Sequence, residues 1–209
     1  MSGRRPYDTL KRTLDVLSSA ILLVVASPVI AVVAVLVAVK LGRPVIFRQP
    51  RPGRNGAVFT LLKFRTMKEP DPARSLVTDA DRLTPFGIGL RSTSLDELPT
   101  LLNVLRGDMS VVGPRPLLVD YLERYTPEQA RRHEVRPGVT GLAQVSGRNA
   151  VAWEERFRLD VEYVDSRSLR LDASILLRTV TAVLRRDGIS AEGTATMHEF
   201  RGTDGDSDA

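Results

Sequence analysis

Apolar positions are spread very unevenly along these 209 residues. From Val16 to Val39 they run almost without a break. At about 1.5 Å per residue, a helix of that length would cross a bilayer of roughly 30 Å once. A cleavable signal peptide has a shorter apolar run, about 7–15 residues, so that reading is weaker. Ser27-Pro28 falls near the middle, where proline removes a helix hydrogen bond and kinks the chain. Both flanks are basic, with Arg4, Arg5, Lys11 and Arg12 before and Lys40, Arg43, Arg48, Arg51 and Arg54 after. Positive charge of this kind favours the cytoplasmic side. With both ends held there, the segment enters and returns as a helical hairpin broken at Ser27-Pro28, each half too short to cross. A single span is the alternative. The backbone groups freed at the break need partners, which hydroxyls of Ser18, Ser19 or Ser27 can supply.

After Lys40 the pattern changes. Val45–Phe47 and Ala57–Leu62 read as two strands around a turn containing Gly53, Asn55 and Gly56, a β-hairpin. The stretch 69–81 is polar, with Pro70 and Pro72, and reads as a surface loop. Leu95, Leu98, Leu101, Leu102 and Leu105 share one helical face, predicting a helix over 95–105. Val111 to Pro116 must be extended or turned, because Pro114 and Pro116 exclude a helix. Helices are predicted at 117–125, 127–134, 151–164 and 172–186, with a glycine-rich loop and one short strand over 136–148. The last helix is amphipathic, suited to the core or to a membrane surface. The predicted class is α/β: mostly helical, with a small β-hairpin or sheet, an N-terminal re-entrant membrane helix-break-helix and interfacial amphipathic helices. The predicted organisation is a membrane hairpin over 1–40, a cytoplasmic domain over 41–190 and a disordered tail over 191–209.

Composition narrows the chemistry. There are no cysteines, which excludes disulfides, thiolate catalysis and Cys-based zinc sites. The two histidines, His133 and His198, lie far apart without a carboxylate pattern and read as packing or surface groups. A net charge of +5 suits anionic lipid, nucleic acid or a phosphorylated substrate. Walker-type and dinucleotide-binding loops are missing, and Gly87-Ile-Gly89 lacks both the third glycine and a βαβ context.

Asp96-Glu97 is the most informative local feature. Two adjacent carboxylates repel each other and need a cation, a metal or a shared proton. Ser94-Leu-Asp-Glu97 also fits a capping box, with Ser94 as N-cap, although Pro99 weakens such a helix start. A helix N-terminus would keep Asp96 ionised and offer N–H groups to phosphate. Arg91 and Arg115 flank the pair. Arg115 stands between Pro114 and Pro116, which fix its backbone, and after Gly113, which allows close approach of a ligand. Arg148 has a similar glycine-loop setting, and Lys63 and Arg65 flank Phe64 at a strand end. Forked arginine donors on rigid loops suit phosphate.

The chain as a whole resembles the bacterial sugar transferase family, the monotopic phosphoglycosyl transferases. The resemblance rests on Lys11-Arg12…Asp15, Ser27-Pro28, Gly42-x-Pro44…Phe47-x-Gln49-x-Arg51-x-Gly53, Lys63-Phe-Arg-Thr-Met67 and Ser94-Leu-Asp-Glu-Leu-Pro99. It continues through Asn103-Val-Leu-x-Gly-x-Met-Ser110, Val112-Gly-Pro-Arg-Pro116, Pro137-Gly-x-Thr-Gly141 and Gly147-Arg-Asn149, covering residues 8 to 187. The large N-terminal multi-span domain of longer relatives is not in this sequence, which therefore resembles the minimal catalytic form. The resemblance implies transfer of a sugar-1-phosphate from a UDP-sugar to a polyprenol phosphate at the cytoplasmic face of the inner membrane, beginning a surface glycan. It implies Asp96 as the nucleophile, forming an aspartyl phosphosugar, and Glu97 as its assistant at a metal or a proton. It further implies Mg²⁺ on Asp96, and Arg91, Arg115 and Arg148 as phosphate or nucleotide ligands. Lys63 and Arg65 are counted with those cations, and Ser27, Pro28, Pro114 and Pro116 shape the backbone. Which sugar is transferred is not legible, and oligomeric state stays open, with a homodimer compatible. Two other classes fit less of the sequence. A membrane-anchored scaffold binding anionic lipid accounts for the apolar segment and charge but not for the acid pair. A nucleic-acid binder lacks a recognisable module and, at 5% aromatic residues, a stacking platform.

Overall fold

The computed structural model describes residues 6–147, 152–185, 199, 200 and 202. Helix α1 covers Pro6–Leu41 and carries Pro28 in its interior. The helix runs on through Pro28, so the expected helix-break-helix is one continuous helix with the proline taken up inside it. Pro28 has no N–H for the carbonyl of Val24, and the Ser27 hydroxyl donates to that carbonyl at 2.8 Å. The buried residues of α1 are Asp15, Ser19, Val33, Val37 and Leu41. At 3.6 residues per turn these five fall within about a quarter of the helix circumference. Pro28 lies on the opposite side, with exposed Ile21, Val24, Val25, Val32, Val35 and Val39. A proline ring crowds the preceding turn and favours bending of a helix away from itself, which at this position is toward the buried side.

Each end is fastened by different means. Near the start, Lys11 and Tyr7 donate to Asp172 Oδ2 at 2.7 and 2.6 Å, and Tyr163 donates to Asp172 Oδ1 at 2.9 Å. Asp15 accepts from the Ser110 hydroxyl at 2.7 Å and the Val111 N–H at 3.2 Å. Arg12 donates to the carbonyls of Val104 and Leu105 at 2.6 and 3.0 Å. The far end is apolar: Val33, Val37 and Leu41 pack with Phe64 and Leu90.

Strands β1 (Ile46–Pro52) and β2 (Val58–Phe64) form the antiparallel hairpin, longer than predicted and closed by a turn with Asn55 at φ 56°. Pro50 faces Thr60 and Pro52 faces Val58 across it. The outer edge of β2 is met by two side chains: Asn103 accepts from the Leu62 N–H at 3.0 Å and donates to the Thr60 carbonyl at 2.8 Å, and Thr100 donates to the Leu62 carbonyl at 3.0 Å. The polar stretch after β2 contains a 3-10 turn at Pro72–Arg74 and a one-turn helix, α2 (Asp79–Arg82).

Helix α3 (Pro85–Ser92) was not predicted, although Thr84-Pro85 is a helix start, and the Thr84 hydroxyl accepts from the Gly87 N–H at 3.1 Å. The predicted 95–105 helix divides at Pro99 into a 3-10 turn, Leu95–Glu97, and α4 (Thr100–Arg106), which Gly107 ends at φ 95°. β3 (Ser110–Val112) pairs in parallel with β4 (Gly138–Thr140). Between them, 117–125 is a 3-10 helix over Val119–Arg124 instead of an α-helix. The 127–134 segment is α5 (Pro127–Ala130) followed by a 3-10 turn over Arg131–Glu134. α6 (Leu142–Val145), α7 (Trp153–Ser166) and α8 (Leu169–Arg185) complete the chain order. Ile175 of α8 is buried with Val112, Leu142, Leu159 and Tyr163, while Leu169, Leu176, Leu177 and Val180 stay exposed. That exposed apolar stripe makes α8 amphipathic, as its sequence indicated. Apart from Glu199, Phe200 and Gly202, the tail expected to be disordered lies outside the described residues; Phe200 is buried at 1% exposure among aromatic rings.

Candidate active site

Asp96 and Glu97 sit on the 3-10 turn between α3 and α4. Ser94 makes the bend into this turn at φ 55°, and its side chain caps nothing. The capping-box reading thus fails at both of its bonds, because the Glu97 carboxylate points elsewhere. Lys63, on β2, reaches Glu97 Oε1 at 2.5 Å, and Arg115 reaches the same oxygen at 3.0 Å. Arg115 follows β3, and the buried prolines 114 and 116 hold the backbone on either side of it. Gly113 plays a different part from the one expected. A Cβ there would lie 2.5 Å from the Arg136 carbonyl, so the space admits a neighbouring strand and not a ligand. Close approach of β3 and β4 fixes where Arg115 begins.

Three cations surround two carboxylates in this cluster, and the carboxylates differ. Despite its burial, Glu97 is held down to about 2 by Lys63 and then Arg115. Asp96 is pushed up to about 6 by burial and then by the charge of Glu97, with Lys63, Arg115 and Arg91 opposing. No hydrogen bond or ion pair within reach engages the Asp96 side chain among the described residues. Asp96 is nevertheless only 8% exposed. A buried, unpaired carboxylate facing cations is unfavourable for stability and suited to attack on an electrophilic phosphorus. Burial lowers the Lys63 ammonium, and Glu97 restrains that fall.

The remaining predicted residues divide. Arg91 lies near enough to Asp96 to favour its ionised form, and its Nε donates to the Thr66 hydroxyl at 3.0 Å. Arg65 turns away from the pair, donating to the Leu41 carbonyl at 3.0 Å and to Glu69 at 2.5 Å. It ties the end of α1 to the hairpin and does not join the cluster. Arg148 lies outside the described residues.

Two further residues belong beside the cluster. Arg51 donates to the Pro116 carbonyl at 3.4 Å, and burial, then Arg115, pulls it down to about 10. Its alternation with Gln49 on β1 was a usable signal, since Arg51 also donates to Gln49 at 2.6 Å. Arg132 donates to the Arg115 carbonyl at 2.7 Å while buried against Asp160, also at 2.7 Å. Nothing in the run Arg131-Arg132-His133 distinguishes it from solvated charge.

A small cleft of about 40 Å³ opens elsewhere, at the foot of α1, lined among others by Lys11, Asp15, Ser110, Arg136 and Tyr163. Its Lys11 ammonium and Asp15 carboxylate are already engaged by neighbours.

No group of three or more Asp, Glu or His able to enclose a divalent cation occurs among the described residues. Asp96 has carboxylate oxygens to offer, whereas Glu97 is occupied by two cations. Such a donor set fits Mg²⁺ when a phosphate ligand and water supply the remaining oxygens.

The bacterial sugar transferase family matches residues 6–186. The uncharacterized sugar transferase EpsL of Bacillus subtilis is 52% identical over 195 residues, which are 93% of this chain and 96% of that protein. A UDP-glucose:undecaprenyl-phosphate glucose-1-phosphate transferase of Caulobacter vibrioides is 43% identical, over 88% of this chain and 73% of its own. The exopolysaccharide production protein ExoY of Rhizobium meliloti is 42% identical, over 83% and 84%.

Proposed function

The chain belongs to the bacterial sugar transferase family, and from that premise we propose that it moves a sugar-1-phosphate from a UDP-sugar to a polyprenol phosphate through a covalent intermediate on Asp96. The observation that carries this reading is the buried Asp96 carboxylate with no partner of its own, beside a glutamate that two cations hold. In the first step an Asp96 oxygen attacks the β-phosphorus of the donor. The P–O bond to the α-phosphate breaks, and UMP leaves with the electron pair. In the second step an oxygen of the polyprenol phosphate attacks the same phosphorus, and the Asp96 carboxylate is released. Neither displacement requires a proton from Glu97. Its low pKa instead suits an anion that keeps Lys63 and Arg115 in place until a diphosphate takes over their donors. Mg²⁺ bound by Asp96 and the donor's own oxygens would neutralise diphosphate charge. The product would be the lipid-linked first sugar of a surface glycan, a reading supported by the Caulobacter relative, a glucose-1-phosphate transferase to undecaprenyl phosphate, and by the Rhizobium relative, an exopolysaccharide production protein.

The lipid acceptor requires a site at a membrane face. We propose that α1 is re-entrant and that both flanks lie on the cytoplasmic side of the inner membrane. Three features support this: contacts at both ends of α1 with the same domain, Pro28 opposite the buried stripe, and basic residues on both flanks. Ser2→Cys is expected to resist an impermeant thiol reagent applied to intact cells; labelling from outside would refute the topology.

The decisive test of the transfer uses a donor labelled in its sugar, without lipid acceptor. Wild type is expected to acquire covalent label and Asp96→Asn none. Equal labelling of both would remove Asp96 as nucleophile. UMP release at an undiminished rate in EDTA would remove the Mg²⁺.

A further inference from the structure

Phe200 lies beyond the end of the family match at residue 186, yet it is among the most deeply buried side chains. Its ring centroid stands 4.9 Å from Phe157, 5.5 Å from Trp153, 5.7 Å from Tyr121 and 6.0 Å from Tyr125. The backbone is fastened as well. The Phe200 N–H donates to the Tyr121 hydroxyl at 3.1 Å, and Arg124 donates to the Phe200 carbonyl at 2.5 Å and to Glu199 at 2.8 Å. Two rings that enclose Phe200 also carry Arg132, whose guanidinium lies 5.8 Å from the Tyr125 centroid and 5.7 Å from that of Phe157. Arg132 in turn donates to the Arg115 carbonyl, and Arg115 reaches Glu97. A continuous set of packed rings and charge-assisted hydrogen bonds thus joins the tail to the phosphate-binding arginine.

We propose that Phe200 is a positioning residue: it closes the aromatic box that sets Arg132, and through Arg132 the main chain at Arg115. This rests on the transfer reading given above, because Arg115 is there the ligand of the donor diphosphate. Without Phe200 the box has an open face where a ring stood, and rings that pack at these centroid distances re-orient when a neighbour is removed. Arg132 then loses its fixed platform. Arg115 would bind donor and transition state alike more weakly, so the effect falls on KM.

Trp153 is the chain's only tryptophan and touches Phe200, so its fluorescence reports on the box without any reference to activity. In Phe200→Ala, Trp153 emission is expected to move to longer wavelength and to be quenched more efficiently by acrylamide. KM for the UDP-sugar in UMP release is expected to rise about tenfold, with kcat changed less than about threefold. Phe200→Leu, which refills part of the box, is expected to recover most of that KM. Arg124→Ala keeps all five rings but frees the tail, and should shift KM in the same direction by a smaller factor, which covers the case in which Phe200→Ala does not fold. A simple loss of folded protein would lower the apparent kcat and leave KM alone. Unchanged Trp153 emission in Phe200→Ala overturns the box, and wild-type KM in a folded Phe200→Ala with shifted emission overturns the positioning role. Wild-type protein that releases no UMP from any UDP-sugar overturns the transfer reading itself, and the positioning role falls with it.

Discussion

The foot of α1 and the turn at Asp96 both gather acids and cations in partly buried surroundings, and they treat them in opposite ways. At the foot, Asp172 receives Tyr7 and Lys11 on one oxygen and Tyr163 on the other, while Asp15 receives a hydroxyl and a backbone N–H. Both acids are satisfied. At the turn, Glu97 takes both direct cation contacts, and Asp96 one position earlier has none among the described residues. Burial is similar, 7% exposure for Asp172 and 8% for Asp96, so it does not separate them. What separates them is whether the neighbours complete the carboxylate or leave it for a visitor. A saturated cluster fastens; an unsaturated one can react.

Substitutions can break that contrast. The largest expected effect is on activity: Asp96→Asn should reduce UMP release at least about 10³-fold, since it removes the attacking atom. The same variant should be more stable at pH 7.5 by on the order of 2 kcal/mol, as the buried charge is gone. Asp96 has its folded pKa raised from 3.8 to about 6, so its ionisation weakens the fold as pH rises through that window. The stability gap in thermal melts should therefore close by about pH 4; a gap that persists there would contradict it. Asp172→Ala should act the other way. It strips Lys11, Tyr7 and Tyr163 of their shared acceptor and should cost about 3 kcal/mol in detergent melts. If it proves nearly neutral, the foot cluster is not the fastening it resembles.

The contrast sharpens further in the pH profile. Wild-type kcat/KM should decline below about pH 6, as Asp96 becomes protonated. Lys63→Met removes a charge that favours ionised Asp96 and should move this acid limb upward by about one unit. Glu97→Gln removes a repelling charge and should move it downward by a similar amount. Limbs that move together in both variants would show that Asp96 does not set the profile. The smallest effect should come from Tyr163→Phe, which loses the one O–H lying between Asp172 and the Val112 carbonyl and should cost about 1 kcal/mol with activity retained.

Sequence reading located the apolar helix, the hairpin and the two long helices α7 and α8 because each has a strong period or a clear stop. It failed where local signals compete. Residues 117–125 carry a plausible helical pattern but form a 3-10 helix. Ser94 and Glu97 match a capping box, yet Lys63 and Arg115 offer Glu97 stronger partners than a backbone N–H can. Lys63 was legible as a cation at a strand end and joins the site; Arg65, two positions on, gave the same signal and turns to the Leu41 carbonyl. No local pattern distinguishes the two, because the difference comes from where the chain leaves β2. Arg132 was hidden for a related reason: its partners, Asp160 and the Arg115 carbonyl, lie 28 and 17 positions away. His133 did prove to be a packing group, its ring against Tyr125.

The two-stranded ribbon has one more consequence. Leu62 points its N–H away from β1, so Pro50 and Pro52, in the same alternation across the pair, fall at outward-facing positions of the other strand. There they remove donors that an incoming strand would need. On the opposite border Asn103 and Thr100 already occupy the backbone groups of Thr60 and Leu62. Neither border is a free template for sheet growth. For a protein concentrated on a membrane surface, where neighbours meet often and in a limited range of orientations, that blocks one route to aggregation: copies joining strand to strand.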